Sequence, residues 1–347
     1  MRLPILLGFA GLMLACSTNA GNAVDVLTGD QVAADLTPAD LITDDAEGDA
    51  IIPDYTDAGR TPVPALVLPE TPMAPQWLTE ALPVATEGLA FDGNGWLYLS
   101  AADGRVLRVD SSGVAEEYAV LLPVDEGVNP GSAGLTIGPD GAIYVCRYNA
   151  NRIEKVSGDP PQVEVFLETM DTPNTVLFRD DGTLWYTSSG GNVEYQGHVG
   201  RLRVGDSTPE IIVDGIVYAN GLAFEPDESA LYVTSTDPGS VLRVALDTDG
   251  IAGEPEVIID GADMAIADGL LMASDGTLLI AGFGTGRLYA WRDGVLSVVA
   301  EDAGLGMFGI ASLAWGAGAG FDEATIYATN LMKPVVYAFQ LESTYDQ

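Results

Sequence analysis

Short segments of alternating apolar and polar residues, separated by turn residues, run from about residue 88 to residue 340. The pattern occurs in six copies, which begin at Gly88, Gly134, Thr175, Gly221, Gly269 and Ser312. Each copy has an apolar inner strand, a turn such as Asp140-Gly141, a second strand ending in small residues, a loop and a third strand. Asp-Gly turns between such runs indicate antiparallel hairpins. Roughly 40 to 50 residues per four-stranded unit is typical of a β-propeller. The sequence therefore predicts an all-β, six-bladed propeller of four-stranded antiparallel blades.

The sixth copy ends after its third strand, near Leu341. Its fourth strand must come from elsewhere, and residues 76–82, just before the first copy, are the expected donor. The predicted propeller domain is therefore residues 76–347, with the ring closed by its N-terminal segment.

Residues 1–15 have the features of a signal peptide, with Arg2 followed by an apolar run too short to span a bilayer permanently. Met13-Leu14-Ala15-Cys16 resembles a bacterial lipoprotein cleavage box, with Met13 in place of the usual leucine. We expect lipidation at Cys16, export and anchoring in the bacterial envelope by lipid alone. Ser17 lacks the aspartate associated with inner-membrane retention, which favours the outer membrane. The alternative is an ordinary secreted protein.

Residues 16–75 are rich in Asp, Thr, Ala and Pro, with no basic residue between Arg2 and Arg60. Such a segment buries too little apolar surface to fold. It is predicted to be a disordered acidic tether.

Charge and residue counts exclude several functions. With 14 Lys and Arg against 51 Asp and Glu, the formal net charge is -37, which argues against nucleic-acid binding. One histidine, His198, cannot build a multi-histidine zinc site, although it remains open as a lone acid or base or as a surface residue. Cys146 is expected to be a small buried hydrophobe without a disulfide partner. A monomer is expected.

Four residues with side-chain oxygens precede the inner strands of copies one, three, four and five: Glu87, Asn174, Asn220 and Asp268. Copies two and six have Ala133 and Ala311 there. Because inner strands surround the propeller axis, the four should meet at one mouth of the central channel. Two carboxylates and two amide oxygens suit Ca²⁺, although another divalent ion is possible. The alternative is that each residue caps a turn.

Residues from about 77 to 341 resemble the senescence-marker-protein, gluconolactonase and luciferin-regenerating-enzyme family of six-bladed propellers. The motifs that carry the resemblance are Thr86-Glu87-Gly88-Leu89, Thr172-Pro173-Asn174, Ala219-Asn220-Gly221-Leu222-Ala223-Phe224 and Ala267-Asp268-Gly269. The resemblance implies one divalent ion, usually calcium, bound through Glu, Asn, Asn and Asp in that order. It also implies hydrolysis of a lactone or related ester, or of a phosphorus-halide bond. The ion would act as a Lewis acid. Asp268 would be the catalytic residue, either as a base toward water or as a nucleophile.

Loops between second and third strands should surround the substrate at the same mouth. The candidates are Arg147, Tyr148, Tyr195, Phe283 and Asn330. Exposed loop decoration is the alternative for each one. Many gluconolactonases carry a substrate-binding arginine where this chain has Thr172, and Arg147 is a possible replacement. Both sugar-acid lactones and more apolar lactones or esters remain open as substrates.

Two other functions fit the same pattern. One is a non-catalytic envelope propeller that binds a ligand or partner and carries a structural calcium. The other is a scaffold of envelope repeats.

Overall fold

The computed structural model describes residues 65–344 except 169–170, 191–195, 262–263, 265 and 303–305. The chain divides into two compact units. One comprises residues 1–54 and 125–129, and the other comprises residues 55–124 and 130–347. In the first unit, residues 125–129 include a turn in which the Val128 N–H donates to the Asp125 carbonyl at 3.0 Å. All the strands named below belong to the second unit.

Two strands, β1 (Ala65–Val67) and β2 (Gln76–Thr79), precede the repeats. Blade I contains β3 (Thr86–Phe91), β4 (Leu97–Ala101), β5 (Arg105–Val109) and β6 (Ala115–Val120). Blade II contains β7 (Leu135–Ile137), β8 (Ile143–Arg147), β9 (Arg152–Ser157) and β10 (Gln162–Glu168). Blade III contains β11 (Pro173–Phe178), β12 (Leu184–Ser188), β13 (Gln196–Leu202) and β14 (Glu210–Val217). Blade IV contains β15 (Ala219–Phe224), β16 (Ala230–Ser235), β17 (Ser240–Ala245) and β18 (Glu256–Ile259).

Blade V contains β19 (Ala267–Met272), β20 (Leu278–Gly282), β21 (Arg287–Arg292) and β22 (Val295–Glu301). Blade VI contains β23 (Ile310–Trp315), β24 (Thr325–Asn330) and β25 (Val336–Gln340), with β26 (Glu342–Thr344) after it. A 3-10 helix (Tyr148–Ala150) follows β8. Each blade is a four-stranded antiparallel sheet, as predicted.

Burial follows the position of a strand within its blade. Every residue of the second strands β4, β8, β12, β16, β20 and β24 is buried. A second strand has a sheet neighbour on each side and a blade against each face, which explains its nearly continuous apolar sequence. The fourth strands are mostly half-buried or exposed, since one of their edges meets solvent.

The turns between first and second strands depend on aspartates that accept a backbone N–H two residues ahead. Examples are Asp181 with Thr183 at 2.8 Å and Asp275 with Thr277 at 3.0 Å. An aspartate that caps its own turn explains why the Asp-Gly pattern marked the hairpins correctly.

The predicted closure of the ring is confirmed. Strand β2 pairs with β25 as the fourth strand of blade VI, with Gln76 opposite Ala338. The predicted end of the tether at residue 75 is wrong. Strand β1 pairs with β26, and the Leu66 side chain is buried in the apolar core around blades V and VI. Met73 also bridges to Ala300. Apolar residues in the sequence ALVL thus supply contacts that the acidic composition before them concealed.

The predicted signal peptide and Cys16 lie outside the described residues. No helix in the described part of the chain has the length and hydrophobicity needed to cross a bilayer.

Candidate metal and active site

The four predicted ligands are buried at the start of their inner strands, and we call them the oxygen quartet: Glu87, Asn174, Asn220 and Asp268. Each is about 95% shielded from solvent, with 4% to 5% of its surface exposed. A polar group buried to this degree needs partners, and a buried charge needs more than one. Their placement follows from a β-bulge that recurs in the four blades that carry them.

Each quartet residue lies in a β-bulge. In blade I, Thr86 pairs with Ala101 and Leu89 pairs with Leu99, so two residues of β3 face one residue of β4. The same two-against-one arrangement places Asn174, Asn220 and Asp268 in bulges of β11, β15 and β19. A bulge re-aims the side chains of the bulged strand. Blade VI has the bulge with alanine in it, whereas blade II keeps a regular register from β7 to β8.

A buried hydroxyl from the second strand fills most of these bulges. The Thr187 hydroxyl accepts the Thr175 N–H at 3.0 Å in its own blade and donates to the Asn220 carbonyl of the next blade at 2.6 Å. Thr234 donates to the Asp268 carbonyl at 2.8 Å, and Thr329 donates to the Glu87 carbonyl. Three quartet residues are therefore held by hydroxyls from the preceding blade.

Three blades also share a left-handed backbone conformation at the residue two positions before the quartet residue. Thr172, Tyr218 and Ile266 have φ values of 52°, 53° and 65° and precede Asn174, Asn220 and Asp268. Left-handed φ is uncommon for such residues and is a genuine outlier for β-branched isoleucine. Their carbonyls accept an N–H from the loop after the second strand, as Tyr218 does from Thr236 at 3.1 Å. Three of the four quartet residues therefore lie next to a strained backbone position, and such strain is common at functional sites.

Glycines after the quartet residues allow neighbouring blades to approach closely. A Cβ on Gly221 would lie 2.3 Å from the Asp268 carbonyl oxygen, and one on Gly269 would lie 2.5 Å from the Ala311 carbonyl oxygen. The glycines of these motifs therefore serve the packing around the channel rather than a turn.

The electrostatics show that three quartet residues act on one another. Burial raises the pKa of Glu87 well above its ordinary value, and the negative charge of Asp268 raises it further. Burial raises the pKa of Asp268 from 3.8 to about 7, partly offset by a hydrogen bond from the Asn220 side chain. Two buried carboxylates that oppose each other's ionisation are an arrangement that a cation would relieve.

Asn174 joins the group through hydroxyls. Its Nδ2 donates to the Ser189 hydroxyl at 3.2 Å, and that hydroxyl donates to the Ala219 carbonyl at 2.9 Å. With Nδ2 so engaged, the Asn174 amide oxygen is the atom left to act as a ligand.

Two tyrosines lie beside the quartet. The Tyr148 hydroxyl donates to the Tyr218 hydroxyl at 2.9 Å, and the rings are stacked with centroids 6.4 Å apart. Burial raises the pKa of both tyrosines, and the negative charge of Glu87 adds to each rise. The pair therefore places phenol groups within the electrostatic reach of the carboxylates.

The other predicted mouth residues have different roles. Arg147 is 1% exposed and donates from Nη1 to both Glu154 carboxylate oxygens at 2.9 Å, so the prediction that it replaces a substrate-binding arginine is wrong. Its Nη2 donates to the Pro130 carbonyl at 3.1 Å, which fixes the chain between blades I and II. Because a buried carboxylate is costly without a cationic partner, Glu154 holds the Arg147 guanidinium inside the protein.

Phe283 and Asn330 are buried, and both side chains make contacts within the protein. Phe283 packs edge-on against Phe308, with centroids 5.5 Å apart. Asn330 donates to the Phe308 carbonyl at 3.0 Å and accepts the Met332 N–H at 2.8 Å, so it shapes its loop. Tyr195 lies outside the described residues. Tyr148 is the mouth candidate that the structure places next to the quartet.

His198 and Cys146 contribute little to the site. His198 in β13 packs edge-on against Tyr186 of β12, and burial lowers the pKa of His198 despite nearby Asp214 and Asp171. Cys146 is fully buried, as predicted, and burial followed by the charge of Glu87 raises the pKa of its thiol.

The quartet's donor set fits a hard divalent cation. Oxygen is its only donor element, and two carboxylates and two amides supply the charge and the ligand type that calcium prefers. Among the described residues, no three Asp, Glu, His or Cys side chains form a cluster that could hold a metal. A cation at the quartet would therefore depend on the amide oxygens as well as the two acids.

Comparison with known proteins agrees with the predicted resemblance. The model of the SMP-30/Gluconolactonase/LRE-like region matches residues 161–300, and that of the strictosidine synthase-like N-terminal region matches residues 87–109. Residues 161–300 are thus similar to the SMP-30/Gluconolactonase/LRE-like region. This region contains the quartet residues of blades III, IV and V.

Two curated proteins similar to this chain are bacterial. A gluconolactonase of Zymomonas mobilis is 26% identical over 201 residues, which cover 53% of the chain and 56% of the relative. The lactonase drp35 of Staphylococcus aureus is 26% identical over 224 residues, which cover 59% of the chain and 66% of the relative. The chain thus matches between about half and two thirds of the length of these relatives.

Solved structures share the fold at lower identity. A gluconolactonase from Xanthomonas campestris is 20% identical with a TM-score of 0.62, covering 81% of the chain and 99% of that structure. Regucalcin from Agrobacterium tumefaciens, a calcium-binding protein, is 17% identical with a TM-score of 0.64, covering 78% and 95%. These likenesses confirm the six-bladed propeller.

Sequence reasoning missed Tyr218 and the bridging hydroxyls. A signal for the hydroxyls was present, since Ser100, Thr187, Thr234 and Thr329 occupy the same place near the end of their second strands. Their acceptors lie in the next blade, which one repeat considered alone cannot show.

Proposed function

We propose that the chain is a divalent-cation-dependent hydrolase of a lactone or related ester, with calcium held by the oxygen quartet. The observation that carries the proposal is a pair of buried carboxylates, in which the charge of Asp268 raises the pKa of Glu87 and the Asn220 side chain is hydrogen-bonded to Asp268. The curated relatives, a gluconolactonase and a lactonase, support the reaction class. The name of the Agrobacterium neighbour, a calcium-binding protein, supports the ion.

The residues divide the work as follows. A bound cation would supply Lewis acidity toward a carbonyl or phosphoryl oxygen. Asp268 either accepts a proton from water or attacks the substrate. The hydroxyls of Tyr148 and Tyr218, which lie beside Glu87, orient the substrate through hydrogen bonds. The hydroxyls of Thr187, Thr234 and Thr329 hold the quartet backbone still during the reaction.

The test uses purified protein and a panel of sugar lactones, alkyl lactones and aryl esters, assayed with calcium and with a chelator. Turnover should require calcium, disappear in Asp268→Ala and persist in Asp227→Ala, a control that removes an exposed turn carboxylate at the opposite end of blade IV. If chelation lowers only the melting temperature and no member of the panel is hydrolysed, the enzyme proposal fails.

A second candidate function is a non-catalytic propeller with a structural calcium and a ligand-binding mouth. The ion pair between Arg147 and Glu154 favours this second function, because neither Arg147 nor Thr172 provides a positive charge at the mouth that could bind a substrate. This candidate predicts a calcium-dependent rise in melting temperature without turnover of any lactone or ester.

We also propose that the protein is exported and anchored in the bacterial envelope through lipid on Cys16, with the outer membrane as the preferred location. Metabolic labelling with a radioactive fatty acid should mark the wild type and place it in the membrane fraction. Cys16→Ser should be unlabelled. A wild type that takes up no label would contradict the anchor.

A further inference from the structure

A second polar cavity lies far from the quartet, between blades III and IV. Its volume is about 280 Å³, and we call it the arginine pocket; the residues that matter here are Arg179, Asp181, Trp185, Arg201, Arg203 and Asp249. Arg179 and Asp181 belong to the turn after β11, and Asp249 belongs to the turn after β17. Asn174 is the second residue of β11 and Arg179 follows the end of that strand, so the pocket is roughly 17 Å from Asn174 at about 3.3 Å per residue.

The indole of Trp185 is part of the pocket lining and carries an unused donor. Trp185 is fully buried, and its Nε1–H has no hydrogen-bond partner in the described part of the chain. A buried tryptophan N–H usually finds an acceptor. The missing acceptor is the first indication that the pocket takes a ligand.

Two guanidinium groups lie around the same indole. The Cζ atoms of Arg201 and Arg179 are 5.4 Å and 6.0 Å from the centroid of the Trp185 ring. A Cβ on Gly250 would be 2.4 Å from Arg201 Nη1 and 3.3 Å from Arg179 Nη1, so both cations approach one point. Like charges this close are stabilised by an anion between them.

The protein's own carboxylates neutralise these cations only in part. Glu228 accepts from Arg179 at 2.7 Å and 2.8 Å. Glu210 pairs with both Arg201 and Arg203, the latter at 3.2 Å. Three guanidiniums thus share two carboxylates in direct ion pairs.

The two aspartates of the pocket are exposed at its rim, where solvent screens them. Asp181 Oδ1 accepts the Thr183 N–H at 2.8 Å. Arg201 Nη1 donates to the carbonyls of Asp249 and Gly250 at 3.2 Å and 2.7 Å, which leaves its Nη2 without a hydrogen bond to any described residue. Arg179 Nη1 likewise has no hydrogen bond to any described residue.

The concentration of cations here runs against the composition of the chain. Of 14 Lys and Arg residues in a protein with 51 acidic residues, three line this pocket. We propose that the arginine pocket binds a small oxyanion, of the carboxylate, sulfate or phosphate kind. Its oxygens accept hydrogen bonds from Trp185 Nε1, Arg179 Nη1 and Arg201 Nη2. Guanidinium groups suit such anions because their donors match the spacing of the oxygens.

The experiment titrates the full chain with sulfate and with acetate, at constant ionic strength set by sodium chloride and with calcium present. Both anions are compatible with millimolar calcium, whereas phosphate would precipitate it. Melting temperature and the five tryptophan indole N–H resonances in a two-dimensional NMR spectrum are followed. The Trp185 resonance is assigned by its loss in Trp185→Phe, which keeps a ring and removes the donor.

We expect a saturable rise in melting temperature and a shift of the Trp185 indole resonance with the same midpoint. The midpoint concentration should increase at least tenfold in Arg179→Gln and in Trp185→Phe. It should not change in Arg287→Gln, whose half-exposed ion pair with Glu301 lies in blade V.

A general effect of sulfate on protein stability would raise the melting temperature without saturation and equally in all variants. That result, together with an unmoved Trp185 resonance, would overturn the proposal and leave an ordered water as the occupant of the pocket. If Trp185→Phe does not fold, the wild-type titration and Arg179→Gln still decide the outcome.

Discussion

The quartet makes a specific prediction about stability, because Asp268 is destabilising when it is ionised without a cation. Burial raises its pKa from 3.8 to about 7. The unfolded chain therefore releases this proton near pH 4, whereas the folded chain retains it until about pH 7. Between these values the folded state binds more protons, so the stability of the cation-free protein falls as pH rises.

The magnitude follows from the size of the pKa change. At 1.36 kcal/mol for each pH unit, the loss between pH 4 and pH 8 is roughly 4 kcal/mol, and full burial of the carboxylate means that solvent screening does not reduce it much. Asp268→Asn keeps the size and the polar contacts but cannot ionise. In chelator, the variant should be more stable than wild type at pH 8 by up to roughly 4 kcal/mol and similar to it at pH 4.

Calcium should reverse the order. Wild type gains stability from an ion that binds only the folded state. Asp268→Asn has lost a ligand charge and should gain little, so the wild type becomes the more stable protein at pH 8 in calcium.

The assay is urea unfolding followed by tryptophan fluorescence at pH 4, 5, 6, 7 and 8, in chelator and in calcium. Asp227→Asn is the control, because this exposed carboxylate has a lowered pKa from its hydrogen bonds with Ser229 and should not alter the slope of stability between pH 6 and 8. If the difference between wild type and Asp268→Asn in chelator is the same at pH 5 and pH 8, the reasoning about two buried, opposing carboxylates is refuted.

Three further substitutions test how the site is built. Arg147→Met should lower the free energy of unfolding by about 1.5 to 3 kcal/mol, because the buried Glu154 carboxylate loses its hydrogen bonds from Arg147 and keeps Arg152 as its remaining ion-pair partner; equal stability of Arg147→Met and wild type in urea would contradict the buried pair. Thr234→Val should cost about 1 to 3 kcal/mol and weaken calcium binding measured by calorimetry, since the quartet carbonyl in blade V loses its donor; unchanged calcium affinity would show that the hydroxyl does not position the site. Gly221→Ala should cost about 1 to 3 kcal/mol in thermal unfolding through its close approach to blade V, whereas Gly253→Ala, with its nearest contact at 3.6 Å, should be nearly neutral; similar losses in both would remove the steric argument.

The blades were predictable because a hairpin is a local structure. An aspartate that caps its own turn and an alternation of apolar residues both lie within about ten residues of chain. The closure by β2 was predictable by counting strands, since a sixth blade with three strands leaves an open edge. The short strand β1 escaped prediction because its partner β26 is at the other end of the propeller sequence.

The mouth was predicted less well than the quartet. The sequence position of Arg147, at the end of a second strand, predicts a residue at the mouth of the channel. In the folded blade, however, its guanidinium forms an ion pair with Glu154. No local pattern distinguishes an arginine that faces solvent from one that is paired inside, because the deciding carboxylate belongs to the adjacent strand. Tyr218 escaped notice for a similar reason, since its significance depends on Tyr148 from a different blade.

The sequence by itself determined the repeat, the number of blades and the phase at which Glu87, Asn174, Asn220 and Asp268 occur, because repeat phase fixes which end of a strand a residue occupies. Only the tertiary structure decided that Glu87 and Asp268 oppose each other's ionisation, and that hydroxyls of one blade hold the backbone of the next. These outcomes depend on distances between residues far apart in the chain, and such distances exist only after the ring has closed.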